Sequence, residues 1–178
     1  MTDHDQLAVQ AYQYITDVAR PFVARGGRLW TKTPGFEGIA PATTLRDMLA
    51  PLDADVPVTL TTEAAALAGV RIDVEHVLPV KRIAIEMIDP LQGDPRCGSN
   101  RVLIGRAESP ADVLRIYLAL AVKCYVTNDE HKRLNRAHRS SKWDAWNGDW
   151  RERYKRAGVV VMPVGERNAI KDILTWQQ

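Results

Sequence analysis

The chain has 178 residues, 46% of them hydrophobic, with 24 Lys/Arg against 22 Asp/Glu and a formal charge of +2. That size and apolar share suffice for one substantial core, and so small a net charge does not by itself call for a nucleic-acid partner. Two cysteines, Cys97 and Cys124, make neither a Cys-x-x-Cys zinc knuckle nor the disulfide framework of a small secreted protein.

The first helix is expected over about residues 5–25, because Leu7, Ala8, Ala11, Ile15, Val18 and Ala19 recur at helical spacing. Pro21 should kink it or end it early, and Gly26-Gly27 should close it. A short strand or turn at 28–31 and a Pro34-Gly35 turn follow. Thr43 or Thr44 is placed to cap a short helix ending near Ala50, and residues 56–60 read as a strand. Thr62, Glu63 and the alanine run after them predict a two-turn helix stopped by Gly69.

Next comes Arg71-Ile72-Asp73-Val74-Glu75-His76, where apolar and polar residues alternate with the period of a half-buried strand. Pro79 ends regular pairing, and residues 83–88 continue helically until Asp89-Pro90, with a surface loop over 92–95. Ser109, Pro110 and Asp112 mark a helix start, with Val113, Leu114, Tyr117, Leu118 and Ala121 as its apolar stripe. Residues 124–126 read as a brief strand, and Thr127 or Asn128 as the N-cap of a helix carrying His131, Leu134, Asn135 and His138 on one face. Trp143, Trp146 and Trp150 share a helical spacing that packs a helix onto the body. Residues 159–162 form a buried strand, and a closing helix covers 166–174. Cys124 is expected as a buried strand thiol and Cys97 in a loop.

The fold class is therefore α+β. One compact domain covers 1–178, with a strand–helix core within 71–139 interrupted by a long insertion and a basic, tryptophan-rich extension over 140–178. No apolar run of 18 residues exists; residues 113–122 are broken by Arg115, so no membrane partner is expected. The amino-terminal residues lack the basic and apolar regions of a signal peptide, which points to the cytoplasm.

Three of the four histidines lie in two places, His76 after Glu75 and His131 with His138 some fifty residues on. A carboxylate beside an imidazole suits metal-assisted hydrolysis, one group holding a cation and the other activating water. The expectation is a divalent ion between Glu75 and one or two of His131, Asn135 and His138, with His76 as general base. Thr127 or Asn128 would orient that imidazole. Residues 130–156 hold 9 Lys/Arg against 4 Asp/Glu, whereas residues 1–60 hold 5 against 7. Arg82, Lys132, Arg136 and Arg139 are accordingly candidate phosphate contacts.

The Glu75-His76 pair followed by Val77-Leu78-Pro79, and the later strand-to-helix segment with its histidine, resemble the HNH or ββα-metal (His-Me finger) endonuclease family. The likeness covers residues 73–81 and 125–138. It implies a β-hairpin and crossing helix that hold a metal, a metal-dependent endonuclease acting on DNA, His76 as general base, Glu75 as ligand and His131 as helical ligand, with Asn135 one turn on. Mg2+ is the implied ion, with Mn2+, Ni2+ or Zn2+ as alternatives. The chain departs from the family in the long gap between the two halves and in lacking zinc-knuckle cysteines. Two other readings are a nonenzymatic nucleic-acid-binding protein using the basic tract, and an immunity-like protein–protein module using the acidic amino-terminal third. The separation of Glu75 and His131 decides between arrangements, since two ligands of one ion must approach within about 4 to 5 Å.

Overall fold

A computed structural model describes residues 2–29, 40–67, 72–92, 102–139 and 150–164. Helix α1 (Asp3–Tyr14) starts at a reciprocal cap in which the Thr2 hydroxyl accepts from Asp5 N and the Asp5 carboxylate accepts from Thr2 N. It runs through a π-turn (Ile15–Ala19) into α2 (Arg20–Ala24), so Pro21 does not end the helix. The wider turn just before the proline accommodates its missing N–H. Gly26 takes φ 86°, and a Cβ at Gly27 would stand 2.2 Å from the Phe22 ring, which explains the glycine pair.

Helix α3 (Pro41–Asp53) begins earlier and ends later than the threonines suggested. Pro41 occupies its first turn, where a missing donor costs nothing, and the helix continues through Pro51 to Asp53. Strand β1 (Val58–Thr62) leads into α4 (Glu63–Ala66), capped by the Thr62 hydroxyl. Then come β2 (Ile72–His76), α5 (Val80–Ile88), a 3-10 turn (Pro90–Gln92) and α6 (Pro110–Leu120), which Ser109 caps as expected. The chain continues with β3 (Lys123–Thr127), α7 (Asn128–Arg139), α8 (Trp150–Arg156) and β4 (Val161–Pro163). The expected turn at Pro34-Gly35, Gly69, Cys97, Trp143, Trp146 and the closing helix at 166–174 lie outside the described residues.

The four strands form one sheet in the order β2-β3-β1-β4. β2 is antiparallel to β3, β1 is parallel to β3, and β4 is antiparallel to β1. The register pairs Glu75 with Cys124 and His76 with Lys123. A larger core joins α1, the π-turn, α3, α5 and α6, built on side chains such as Ile15, Leu45, Leu49, Ile83, Ile116 and Tyr117. A second core of Val77, Cys124, Val126, Leu134, Tyr154 and Val159 joins the sheet to α7 and α8. The result is a single compact α+β domain. No helix among the described residues is long and apolar enough to cross a membrane.

The alternation expected of β2 holds, but its polarity is inverted. Ile72 and Val74 are each 47% exposed, while Asp73 and Glu75 lie on the side of Cys124 and Val126, which α7 covers. His131 on α7 and Arg153 on α8 meet the acidic residues on that face, which offsets the cost of turning them inward.

Candidate functional site

The geometry begins with the ends of α7 and β2. Thr127 closes β3, and its hydroxyl accepts from Glu130 N at 3.2 Å while its own N–H donates to Glu130 Oε2 at 2.8 Å. That reciprocal cap is joined by a third donor, the Thr62 hydroxyl, 2.6 Å from the same Oε2. Glu130 is buried, so the start of α7 is tied both to its own first turn and to the end of β1. One residue later the helix presents His131 to β2.

His131 Nε2 lies 3.2 Å from Glu75 Oε2, and His131 Nδ1 lies 3.5 Å from Asp73 Oδ2. Each face of the imidazole's donor–acceptor axis therefore meets a carboxylate. The other oxygen of Glu75 accepts from Arg153 Nη2 at 2.6 Å, and Arg153 Nη1 reaches the His76 carbonyl at 3.4 Å. Arg153 is buried on α8, and Glu75 is mostly buried, so the ion pair offsets the desolvation that either charge would suffer alone. Beneath it, burial pushes the Cys124 thiol up to about 12, which keeps it protonated and inert.

His76 belongs to the opposite face of the sheet, as strand alternation requires of the residue after Glu75. Its Nε2 lies 2.7 Å from Asp53 Oδ1, at the end of α3. Asp53 Oδ1 also accepts from the Tyr117 hydroxyl at 3.1 Å, Asp53 Oδ2 pairs with Lys123 Nζ at 3.1 Å, and Lys123 Nζ donates to the Asp53 carbonyl. Burial alone would raise the Asp53 pKa. The hydrogen bonds from His76 and Lys123, with the charge of His76 and the Tyr117 hydroxyl, outweigh it and hold the carboxyl below the usual range. Tyr117 moves the other way, because burial and the Asp53 charge disfavour its phenolate.

Among known families, curated proteins and solved structures, the chain matches none. The site's chemistry therefore rests on its own residues. Among the described residues no group of three or more His, Cys, Asp or Glu is arranged to hold a metal ion. Glu75 and His131 form a two-donor set, with half-buried Asn135 one turn further along the same helix.

The structure brings Glu75 and His131 together but does not bring the expected orienting residues to His76. In the antiparallel register Thr127 faces Ile72 and Lys123 faces His76, so Thr127 sits at the far end of the strand pair, about 13 Å of strand away. Its hydroxyl serves the helix cap, and Asn128 is exposed. Arg82 is not placed to meet a phosphate either. It is buried in α5, with Nη2 3.0 Å from Glu86 Oε2. Lys132 and Arg136 are exposed on α7, Lys132 pairing loosely with Asp129 at 3.2 Å. The side chains of Arg139, His138 and Trp150 lie outside what is described.

Sequence reasoning missed Asp73, Arg153 and Asp53. Asp73 was legible, since residue i−2 in a strand shares the face of Glu75. Arg153 had only the weak signal of one basic residue among many. Asp53 had none, because its contact with His76 is purely tertiary.

Proposed function

We propose that this chain is a divalent-cation-dependent endonuclease that hydrolyses DNA phosphodiester bonds, with Glu75 and His131 as protein ligands of the ion and His76 as general base. The observation that carries this reading is the 3.2 Å approach of Glu75 Oε2 to His131 Nε2, from segments separated in the chain by α5 and α6. Two donors bonded to one ion at about 2.0 to 2.2 Å stand about this far apart. The same distance is also that of a charge-assisted hydrogen bond, which is the form the pair takes without an ion.

A two-donor set suits an ion that keeps water and substrate phosphate in its other positions, as Mg2+ does, better than a closed zinc site with four protein ligands. Imidazole also suits Mn2+ less than Ni2+ or Zn2+ in affinity order, so the metal requirement is open to direct measurement. When bound, the ion supplies charge neutralisation at the phosphate oxygens and at the departing oxygen. Asp73, on the Nδ1 side of His131, would take the ring's Nδ1–H when an ion draws on the Nε2 lone pair. Arg153 fixes the Glu75 carboxylate from behind.

The opposite facing of Glu75 and His76 fits an in-line displacement. A water oxygen bonds to phosphorus on one side while the P–O bond to the departing sugar oxygen breaks on the other. The base and the cation must then flank the phosphorus rather than sit side by side. β2 is an outer strand of the described sheet, and a phosphodiester would have to lie across its end to have one of these residues on either side. The water's proton passes to the His76 ring nitrogen that Asp53 does not engage, and the departing oxygen takes a proton from solvent. Exposed Lys132 and Arg136 on α7 supply contacts to neighbouring phosphates.

Titration with Mn2+ followed by electron paramagnetic resonance, alongside plasmid nicking with Mg2+, Mn2+ or Ni2+, tests this reading. His131→Ala should lose both ion binding and cleavage. His76→Ala should bind the ion normally and cut at least about 100-fold more slowly. A wild-type protein that retains no divalent ion and leaves plasmid intact would rule the nuclease out.

A further inference from the structure

We infer that Asp53 sets the tautomer of His76, holding the proton on Nε2 so that Nδ1 is the ring's acceptor; as a positioning residue for catalysis it rests on His76 being the general base. The argument is one of donors and acceptors. The groups that meet Asp53 come from three separate elements, Tyr117 on α6, Lys123 on β3 and His76 on β2. An ammonium has donors only, and an ionised carboxylate has acceptors only. Lys123 Nζ on Oδ2 and on the Asp53 carbonyl therefore keeps the carboxylate in its accepting form. His76 Nε2, 2.7 Å from Oδ1, must then carry a hydrogen and donate it. In the neutral ring that leaves the lone pair on Nδ1.

Lys123 and Tyr117 are buried, so the carboxylate cannot swing away without leaving an ammonium unpaired. Asp53 itself lies outside the strands and helix that hold Glu75 and His131, since it ends α3, which packs beside α5. It ties the accepting nitrogen to the helical core rather than to the strand that carries it.

Asp53→Asn makes a directional prediction. The amide has one accepting end and one donating end. Lys123 can only donate, so it takes the amide oxygen and turns the NH2 toward His76 Nε2. The imidazole must then accept there and carry its proton on Nδ1, the reverse of the wild-type tautomer.

Long-range 1H–15N correlation spectra of 15N-histidine-labelled protein read this state directly, with His76→Gln identifying the signal. Wild type should show the Nε2–H form, Asp53→Asn the Nδ1–H form, and Tyr117→Phe, which keeps the carboxylate and Lys123, the wild-type form. In the nicking assay Asp53→Asn should lower kcat by about 100-fold or more while Mn2+ binding at Glu75 and His131 is unchanged. A wild-type Nδ1–H tautomer overturns the inference even if Asp53→Asn does not fold. A reversed tautomer with undiminished cleavage overturns the positioning role. The stated tautomers in a protein that never cuts DNA uphold Asp53's control of the ring and dispose of the nuclease reading instead.

Discussion

At the scale of single residues, burial separates the charges that hold the fold from those available to a substrate. Arg82 was expected to meet a phosphate, yet it is enclosed beside Glu86, whose side chain has no exposure at all. Glu86 Oε1 accepts from the backbone N–H groups of Leu103, Ile104 and Gly105 at 2.8, 2.8 and 2.9 Å. One carboxylate thus organises the approach to α6, and Arg82 balances its charge. Arg82→Ala should therefore destabilise the protein by about 3 to 5 kcal/mol, the cost of leaving a buried charge without its partner. Chemical denaturation measures that loss. The salt dependence of DNA binding by the folded fraction should not change, whereas Lys132→Ala should lower the slope by about 1. A reduced slope for Arg82→Ala would return it to the phosphate contacts.

Asp53 carries a pH signature at the same scale. Its folded-state pKa lies below the unfolded carboxylate value of about 3.9. The unfolded chain therefore takes up the proton first as pH falls. The stabilisation from Asp53 is complete above about pH 4 and is lost as the pH drops through the lower, folded value. Denaturation of wild type and Asp53→Asn across pH 2.5–7 should show a gap that is widest near neutrality and closes in acid. A gap that widens below about pH 4 would mean that the carboxyl is raised rather than lowered.

At the scale of elements, what the sequence made legible is what depends on neighbours in the chain. The Ser109 cap and the helical run after Pro79 were readable because each uses residues three or four apart. The inward face of β2 was not readable, because it depends on which helix lies against the strand. Thr127 shows both cases in one residue. Its capping role was evident from Asn128, Asp129 and Glu130 after it, while its distance from His76 follows only from the register of β2 on β3. Glu130 is where local and tertiary structure meet. Thr127→Ala should cost about 1 kcal/mol, the usual worth of a cap. Glu130→Ala should cost more, about 2 to 3 kcal/mol, since it strips the cap and leaves the buried Thr62 hydroxyl without its acceptor. Equal losses for the two variants in urea denaturation would show that the bond to Thr62 contributes nothing beyond the cap.

At the scale of the whole molecule, the two candidate groups of side chains sit on opposite faces of the sheet at one end of β2. The sequence placed the strand, the helix that meets it there and the two helices between them, but not the residues that flank His76. Long-range packing decides those, and no spacing in the chain encodes it. The arrangement has a consequence for folding as a whole. α7 meets β2 through His131, which lies 3.2 Å from Glu75 and 3.5 Å from Asp73, and Arg153 from α8 supports Glu75. An ion bridging Glu75 and His131 binds only the folded chain, because the unfolded chain does not hold the two donors together. Mass action then stabilises the native state by about 2.7 kcal/mol when the free ion is at one hundred times its Kd. Thermal melts with rising Mn2+ should accordingly raise the Tm of wild type and of His76→Ala alike, since His76 lies on the other face of the sheet from Glu75 and His131. Glu75→Gln and His131→Ala should melt at a temperature independent of Mn2+. An equal rise in all four proteins would place the ion elsewhere on the surface and remove Glu75 and His131 as its ligands.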